Sequence, residues 1–317
     1  MQLPPDIRAV LEELAQEETG RELRAAAGAV SERYRERDGA FQIANDAEAR
    51  AYLATRFPAT YAAAKRAMQI TRKIIPNYLP QRVLDVGAGP GTVALAAREI
   101  WSPGMVTLIE PNEHLRTAGQ ALFERLFMPA EWMTQSINHA GLIGNYDLVT
   151  AGYILNELPE ADLDKVLHKL WKATGAMLLL IEPGTPQGSK VIQRARDLLT
   201  RHGAYILAPC PQSGPCPLRN LTDRWCHFSV RVERSKLHRQ VKEASLPYED
   251  EKFSFIAFGR KEFAVPSNRI LGHPSGTKVL QLQVCDSNGS AHTLDIPKSD
   301  LRHKDLRRLE WGDGFSD

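Results

Sequence analysis

Residues 83–92 read Val-Leu-Asp-Val-Gly-Ala-Gly-Pro-Gly-Thr, an apolar run that enters a glycine-rich turn. Residues 93–100, which are mostly apolar, follow directly and predict a helix. Gly87, Gly89 and Gly91 let the backbone bend sharply and approach a ligand with no side chain in the way. A glycine pattern alone is a weak signal, so the residues around it decide what it means.

Two acidic residues make the glycine pattern more specific. Glu110 ends the next apolar run and lies 19 residues beyond Gly91. At that distance a carboxylate can accept hydrogen bonds from both hydroxyls of a ribose. Asp85 lies inside the motif, and an acidic residue there argues against a pyrophosphate at this turn. The pattern therefore favours a ribose-containing cofactor without a pyrophosphate.

This combination, over roughly residues 80–185, resembles the class I S-adenosylmethionine-dependent methyltransferases. Their first motif has the form DxGxGxG, and their second strand ends in an acidic residue. The resemblance implies S-adenosylmethionine as the cofactor, with the glycine turn at its methionine part, Glu110 at its ribose and Asp85 orienting the loop and the cofactor's amino group. The alternative is a degenerate site on an inherited scaffold, because a fold does not fix a function. The implied cofactor-binding residues are Asp85, Gly87, Ala88, Gly89, Gly91 and Glu110.

The rest of the chain predicts an α/β fold with additions at both ends. Apolar runs such as RVLDVGAG, MVTLIEP, YDLVTAGY and AMLLLIEPG alternate with helical stretches, which indicates a parallel sheet covered by helices on both faces. We expect a class I methyltransferase Rossmann-like domain at 81–262, with WCHFSVRVE and KFSFIAFGR as antiparallel strands and a Cys-bearing insertion at 183–226. A helical region precedes it at 1–80, and a small C-terminal β appendage follows at 263–317.

The composition sets broad limits. The chain has 317 residues and a formal net charge of +2, which by itself decides nothing about partners. No segment approaches ~18 uninterrupted apolar residues, and the first residues resemble neither a secretory leader nor an Arg- and Ser-rich presequence. We therefore expect a soluble, monomeric protein of the bacterial cytoplasm, with no membrane partner.

All four cysteines fall in the last third of the chain, at Cys210, Cys216, Cys226 and Cys285. In a cytosolic protein such clustering is more typical of ligands than of disulfides. The spacing fits no common zinc signature, whereas an iron-sulfur cluster is wider than one ion and takes thiolates from farther apart. Spacing alone leaves zinc and iron-sulfur open. The cysteines could also be unrelated small core residues, because free Cys packs readily in protein interiors.

The sequence identifies no catalytic residue. The fourth predicted strand leads into Asn156 and Glu157, which either face the methyl group or cap the following helix. No [N/D]-P-P-[Y/F] motif stands there, which weakens the case for base N-methylation. The Pro-Cys dipeptides at Cys210 and Cys216 follow the fifth strand, whereas cytosine-C5 methylases carry theirs after the fourth. A covalent thiolate mechanism is therefore disfavoured.

Basic residues concentrate in two places. The stretch from Arg219 to Glu243 holds seven Lys or Arg against three acidic residues, interleaved with Trp225, Phe228 and His238. Such a mixture suits a surface that pairs phosphates and stacks bases, although a solvated face has the same composition. The tail adds more basic residues, which favours RNA as the partner. These are Arg302, His303, Lys304, Arg307 and Arg308.

A narrower resemblance extends over nearly the whole chain. The runs EPGTPQG, PCPQSGPCPL, DRWCHFSVRVERSKLH and PYEDEKFSFIAFGR are similar to the methyltransferase-like family of mitochondrial small-ribosomal-subunit assembly proteins and their bacterial relatives. Ser189 departs from the family pattern, which has an aromatic residue there. The resemblance implies a structural four-cysteine iron-sulfur site of the 4Fe-4S type at Cys210, Cys216, Cys226 and Cys285, with zinc as the alternative. It also implies association with small-subunit ribosomal RNA.

Three functions remain open from the sequence. The first is S-adenosylmethionine-dependent methylation or chaperoning of small-subunit ribosomal RNA. The second is a non-catalytic ribosome assembly factor with a vestigial cofactor pocket, because members of the resembled family act as binding factors as well as methylases. The third is a small-molecule methyltransferase with a structural zinc site.

Overall fold

The computed structural model describes residues 1–16, 18–36, 43–139 and 144–316, and its centre is an eight-stranded mixed sheet. The strands are β1 Arg82–Val86, β2 Met105–Ile109, β3 Glu131–Met133, β4 Tyr146–Gly152, β5 Thr174–Pro183, β6 Tyr205–Ala208, β7 Phe228–Glu233 and β8 Tyr248–Gly259. Their order is β3-β2-β1-β4-β5-β8-β6, and β7 also pairs with β8. The first five are parallel, whereas β8 runs antiparallel to β5. This arrangement confirms the predicted class I Rossmann-like fold.

Helices cover both faces of the sheet. They are α5 Thr92–Trp101, α6 Glu113–Arg125, α7 Glu160–Ala173, α8 Pro186–Arg201 and α9 Lys236–Lys242, with a short 3₁₀ helix at Leu155–Glu157. Successive residues of a strand point to opposite faces. Val83 of β1 accordingly packs in the core under α5, and Leu84 packs in the core under α7 and α8. The two apolar layers hold the carboxyl ends of the parallel strands at one edge, which is where ligands bind in such sheets.

Four helices precede the sheet: α1 Pro5–Ala15, α2 Gly20–Glu36, α3 Asp46–Thr55 and α4 Phe57–Arg72. Asn45 begins α3, because its side chain accepts a hydrogen bond from the N–H of Glu48 at 3.0 Å. Phe57 and Tyr61 of α4 are fully buried in the same core as the sheet. The N-terminal helices therefore pack directly on the α/β domain.

The segment 183–226, which the sequence marks as an insertion, contains both α8 and β6. Thr185 caps α8 by accepting a hydrogen bond from the N–H of Gly188, and Pro186 occupies the first turn, where its missing N–H costs nothing. The buried residues Val191, Ala195 and Leu198 recur at helical spacing. The irregular part of the insertion is therefore the coil between β6 and β7, which carries the first three cysteines.

The C-terminal appendage is a separate four-stranded sheet. Its elements are β9 Asn268–Ile270, β10 Val279–Asp286, β11 Ala291–Pro297, α10 His303–Leu306 and β12 Gly314–Phe315, in the sheet order β11-β10-β9-β12. Leu280, Leu282 and Val284 alternate inward along β10 and form the centre of a small core. Arg66 of α4 and Lys73, which follows this helix, bind Asp313 of the appendage. Among the described residues, no helix is both long and apolar enough to cross a membrane.

Candidate functional site

The glycine turn follows β1, and its three glycines have different surroundings. All three have positive φ angles, 64° at Gly87, 55° at Gly89 and 81° at Gly91, a region that disfavours other residues. A Cβ at Gly87 would lie 2.1 Å from a side-chain carbon of Ile154, and one at Gly91 would lie 2.3 Å from the ring of Phe123. A Cβ at Gly89 would meet nothing within 4 Å. Gly87 and Gly91 are therefore required by packing, whereas Gly89 faces open space.

Glu110 follows β2 and fixes the turn. One carboxylate oxygen accepts the N–H of Gly89 at 2.7 Å, and the other accepts the N–H of Asn112 at 2.8 Å. Burial raises the pKa of Glu110, although both hydrogen bonds oppose this shift. Each carboxylate oxygen has a further lone pair, so Glu110 can still accept hydrogen bonds from a ligand.

Asp85 is completely buried and joins three elements. Its carboxylate accepts the N–H of Ala94 in α5 at 3.1 Å and the hydroxyl of Thr150 in β4 at 2.7 Å. Burial raises the pKa of Asp85 to about 7. Asp85 thus binds the start of α5 to the sheet from beneath the turn.

A cavity with a volume of about 840 Å³ opens at the carboxyl ends of β1, β2 and β4. Gly87, Gly89 and Glu110 line it, whereas Asp85, Ala88 and Gly91 are absent from its lining. The N-terminal helices cover it from the other side, through residues that the sequence analysis did not identify: Ser31, Tyr52, Arg56 and Thr60. Its size and placement suit a small-molecule ligand.

Tyr153 lines the cavity directly after β4 and has an unusual backbone. Its φ is 61°, a conformation that costs a non-glycine residue energy and often marks a functional position. Its hydroxyl donates to Glu251 at 3.0 Å, and a guanidinium nitrogen of Arg56 lies 3.8 Å from the same carboxylate oxygen. No sequence motif links these three residues, which come from β4, β8 and the α3–α4 junction.

The predicted pair Asn156 and Glu157 lies on the 3₁₀ helix after β4. Glu157 lines the cavity, and burial together with the charge of Glu110 raises the pKa of Glu157 to about 8. Asn156 instead donates its backbone N–H to Glu182 at 3.3 Å, and Leu155 donates to the same carboxylate at 2.8 Å. Glu182, at the end of β5, is therefore the group that satisfies the start of this helix.

All four cysteines line one small cavity, which lies apart from the large one. Cys210, Cys216 and Cys226 come from the coil between β6 and β7, and Cys285 comes from β10 of the appendage. Burial raises the pKa of Cys226 well above its usual range and that of Cys285 to about 12. The neighbouring thiols add to both shifts, because thiolates repel one another.

The chemistry of this cavity favours an anionic group, although its space is limited. Arg196 and Arg269 also line it, and each has a buried side-chain nitrogen with no hydrogen-bond partner among the described residues. Its volume is about 20 Å³, so anything larger than one atom enters only if the surrounding coil moves outward. In the part of the chain that the structure describes, no group of three or more His, Cys, Asp or Glu is arranged to hold a single metal ion.

A short segment connects the two cavities. Glu182 holds the 3₁₀ helix at the large cavity, and two residues later the carbonyl of Gly184 accepts the indole N–H of Trp225 at 2.9 Å. Trp225 precedes Cys226, whose own carbonyl accepts the hydroxyl of Ser254 in β8 at 2.8 Å. A Cβ at Gly184 would lie 2.6 Å from the carbonyl carbon of Lys252, so no larger residue fits here.

Two of the three rings that were predicted to stack on bases in the basic stretch from Arg219 to Glu243 are buried. Phe228 and His238 are 0% exposed, so they cannot stack on bases. Arg231 binds Asp250 at 2.9 Å, and other cations of the stretch have acidic partners too. These further pairs are Arg219 with Asp197, Arg224 with Asp223 and Arg234 with Glu249.

The basic tail differs from that stretch, because its cations are exposed. Lys304, Arg307 and Arg308 lie on or beside α10 on the surface of the appendage. None of these three side chains has an ion-pair partner within the described ranges 1–16, 18–36, 43–139 and 144–316. Their charges are therefore available to an anionic partner.

Comparisons with known proteins agree with the family resemblance that the sequence indicates. A family model described as mitochondrial small ribosomal subunit Rsm22 matches residues 46–316. The human mitochondrial ribosome assembly protein METTL17 is 29% identical over 236 residues, which cover 66% of this chain and 48% of that protein. The fission yeast mitochondrial Rsm22-cox11 tandem protein 2 is 29% identical over 297 residues, with coverages of 74% and 38%. The chain thus spans less than half the length of either relative.

Solved structures with similar folds include two methyltransferases. Magnesium protoporphyrin IX methyltransferase from Synechocystis, with bound S-adenosylmethionine, has a TM-score of 0.41 and 14% identity, covering 73% of this chain and 90% of that one. Precorrin-6y C5,15-methyltransferase from Geobacter metallireducens has a TM-score of 0.41 and 14% identity, with coverages of 62% and 86%.

The relatives contradict one expectation. The chain was predicted to be a protein of the bacterial cytoplasm, but METTL17 and the fission yeast protein are both named as mitochondrial. The budding yeast relative RSM22, which is 21% identical over 294 residues, is named so as well. That prediction relied on the first residues of the chain, which say little about compartment when the chain matches only part of each relative.

Proposed function

The chain belongs to the Rsm22 family of mitochondrial small ribosomal subunit proteins, and from this membership we propose that it binds S-adenosylmethionine and acts in assembly of the small ribosomal subunit. The proposal includes contact with small-subunit ribosomal RNA and a structural iron-sulfur cluster. The observation that carries the cofactor assignment is the carboxylate of Glu110, which lines the large cavity beside Gly89.

The residues of the large cavity suit a sulfonium cofactor. Glu110 would accept hydrogen bonds from the ribose, while Gly89 would let the methionine part approach the backbone. Glu110 and Glu113 line the cavity, and the negative charge of an ionised carboxylate favours a cation. Glu157 also lines the cavity, but its pKa of about 8 leaves it mostly neutral near pH 7. Methyl transfer from a sulfonium mainly requires alignment of the acceptor and exclusion of water, and the N-terminal helices that cover the cavity supply the second.

A non-catalytic variant of the same function is the second candidate. The curated relatives are named as ribosome assembly proteins rather than as methyltransferases. In this variant the chain binds the cofactor, or only keeps its pocket, and contributes to assembly by binding RNA.

With the surrounding coil moved outward, the four-cysteine cavity would hold the iron-sulfur cluster, which would supply a rigid cross-link between segments. Thiolate ligands from the coil and from β10 would tie the appendage to the α/β domain. The two arginines with unpartnered nitrogens fit the negative charge of a thiolate-bound centre. Zinc bound by the same thiolates is the alternative.

Calorimetric titration with S-adenosylmethionine tests the cofactor assignment. We expect Glu110→Gln to weaken binding by about tenfold or more, because a hydrogen bond to a charged acceptor contributes ~1.5–3 kcal/mol. Glu124→Gln is the matched control, since Glu124 is exposed on α6 and does not line the cavity. Absence of binding by the unaltered protein would overturn the assignment.

Transfer of a labelled methyl group separates the two candidates. The acceptor should be small subunits from a strain that lacks the protein, because their sites are unmodified. Binding without transfer would refute the enzyme and leave the assembly factor. Transfer to a metabolite but not to RNA would refute the ribosomal function.

Metal analysis after anaerobic purification tests the centre. We expect iron and acid-labile sulfide in equal amounts, with a brown colour. A colourless protein with one zinc would refute the iron-sulfur cluster.

A further inference from the structure

Two arginines outside the cysteine motif surround the four-cysteine cavity. Arg196 comes from α8 and Arg269 from β9, so they approach the cavity from the α/β domain and from the appendage. Their exposed fractions are 3% and 2%. Burial of a guanidinium costs free energy unless its N–H groups have acceptors, so the hydrogen bonds of both side chains contribute to the stability of this region.

Both arginines hold the coil that carries the cysteines. Arg269 donates through Nε to the carbonyl of Pro209 at 2.6 Å and through Nη1 to the carbonyl of Gly312 at 2.8 Å. Arg196 donates through Nη2 to the carbonyl of Gln212 at 3.0 Å and also to that of Gly214. The carbonyls of Pro209, Gln212 and Gly214 lie on either side of Cys210 and just before Cys216, so the two guanidiniums set the path of the coil.

Each arginine also has one buried nitrogen without an acceptor among the described residues. Nη2 of Arg269 and Nε of Arg196 are buried and have no hydrogen-bond partner among the residues for which the structure gives positions. A buried N–H without an acceptor is rare in proteins, because it loses its hydrogen bond to water without replacement. The nearby thiol groups are weak acceptors when protonated, but metal-bound sulfur carries negative charge.

We propose that Arg196 and Arg269 are positioning residues of the metal centre, each donating its remaining N–H to a metal-bound sulfur while it clamps the cysteine-bearing coil. This inference rests on the metal centre of the proposed function. Hydrogen bonds and positive charge near the sulfurs stabilise the more negative, reduced state of a cluster, and they therefore raise its reduction potential.

The test compares reduction potentials of the anaerobically purified, full-length protein and its variants. Arg269→Met and Arg196→Met remove the charge and the donors at similar side-chain length. We expect each to lower the potential, and a tenfold loss of preference for the reduced form corresponds to about 59 mV for one electron. Arg269→Lys and Arg196→Lys keep the charge, and we expect them to lie between the unaltered protein and the Met variants.

Arg260→Met is the matched control. Arg260 also donates to two backbone carbonyls, those of Thr174 and Trp171, but it does not line the cysteine cavity. A purely structural role predicts that all three Met variants lose stability and none shifts the potential. Equal potentials in Arg269→Met, Arg196→Met and Arg260→Met would therefore overturn the proposal.

Metal release provides a second readout, which also covers a Met variant that loses its metal during purification. We expect the Lys variants at 196 and 269 to release metal to a chelator faster than the unaltered protein and Arg260→Met. If the centre proves to be zinc, the iron-sulfur part of the proposed function is wrong. The rate of zinc release then tests whether the two arginines stabilise the metal centre. Release at the rate of the control would overturn their role.

Discussion

Asp85 shows how a residue of a binding motif can act without touching the ligand cavity. It is buried beneath the turn and holds α5 and β4. The motif itself was readable from the sequence, because spacing along one strand and turn is local information. Which motif residues reach the cavity was not readable, since that depends on the packing of β4 and α5 against β1.

The ionisation of Asp85 makes folding depend on pH. Its pKa is raised by burial to about 7 from an ordinary value of 3.8, so between these values the folded state binds a proton that the unfolded state has lost. The stability that this group contributes is therefore present in acid and is lost as the pH rises through about 7. We expect Asp85→Asn to flatten the decline in unfolding free energy between about pH 4 and 7, by at most about 1.4 kcal/mol per pH unit. Urea unfolding at several pH values measures this, and parallel profiles for both proteins would contradict it.

The sequence did not predict the contact among Tyr153, Glu251 and Arg56. They meet at the large cavity from three separate parts of the chain.

Phe228 is a different case, because its burial was predictable. Phe228, Val230 and Val232 alternate with polar residues in β7, and such alternation indicates inward-facing positions. The many charged residues of the stretch favoured the prediction of an exposed surface over that of a buried strand.

At the level of elements, the strands of the parallel sheet were the most predictable part. Continuous apolar runs such as that of β5 indicate strands buried on both faces, and the structure has them in the expected sheet. The pairing partners of β6 and β7 were not predictable, because both lie against β8, which follows them in the chain. Non-local pairing of this kind leaves no local signal.

The joint between the appendage and the α/β domain can be tested through Cys285. Cys285 is the appendage's contribution to the cysteine cavity, where the metal would link it to the coil. We expect Cys285→Ser to make the segment before β9 sensitive to protease, while affinity for S-adenosylmethionine changes less than about twofold. Limited proteolysis followed by mass spectrometry locates the cuts. Unaltered protein stripped of its metal should be cut in the same way, and equal resistance of all three samples would refute the link.

For the molecule as a whole, the arrangement of charge matters more than its total. The net charge of +2 is small, yet exposed cations that have no acidic partner among the described residues lie together on the appendage. The paired arginines of β7 lie elsewhere on the chain and are locally neutralised. The sequence indicated both regions equally, because it does not show which cations have acidic neighbours across the sheet.

RNA binding should therefore depend on the tail. We expect replacement of Lys304, Arg307 and Arg308 by Gln to weaken binding to small-subunit RNA and to reduce the salt dependence by about one per lost phosphate contact. Binding measured from 50 to 200 mM salt gives this slope. Arg231→Gln with Arg234→Gln is the control, because both arginines have carboxylate partners. A control as strongly impaired as the tail variant would be inconsistent with this surface.

A mutation in the segment Glu182-Pro183-Gly184 should have a distinctive phenotype. One end of this segment supports the 3₁₀ helix at the large cavity, and the other end holds the tryptophan beside Cys226. Because Gly184 has no room for a side chain, a missense change at this single codon would disturb two pockets that share no lining residue. In a screen, such an allele would show the defects of both pockets at once.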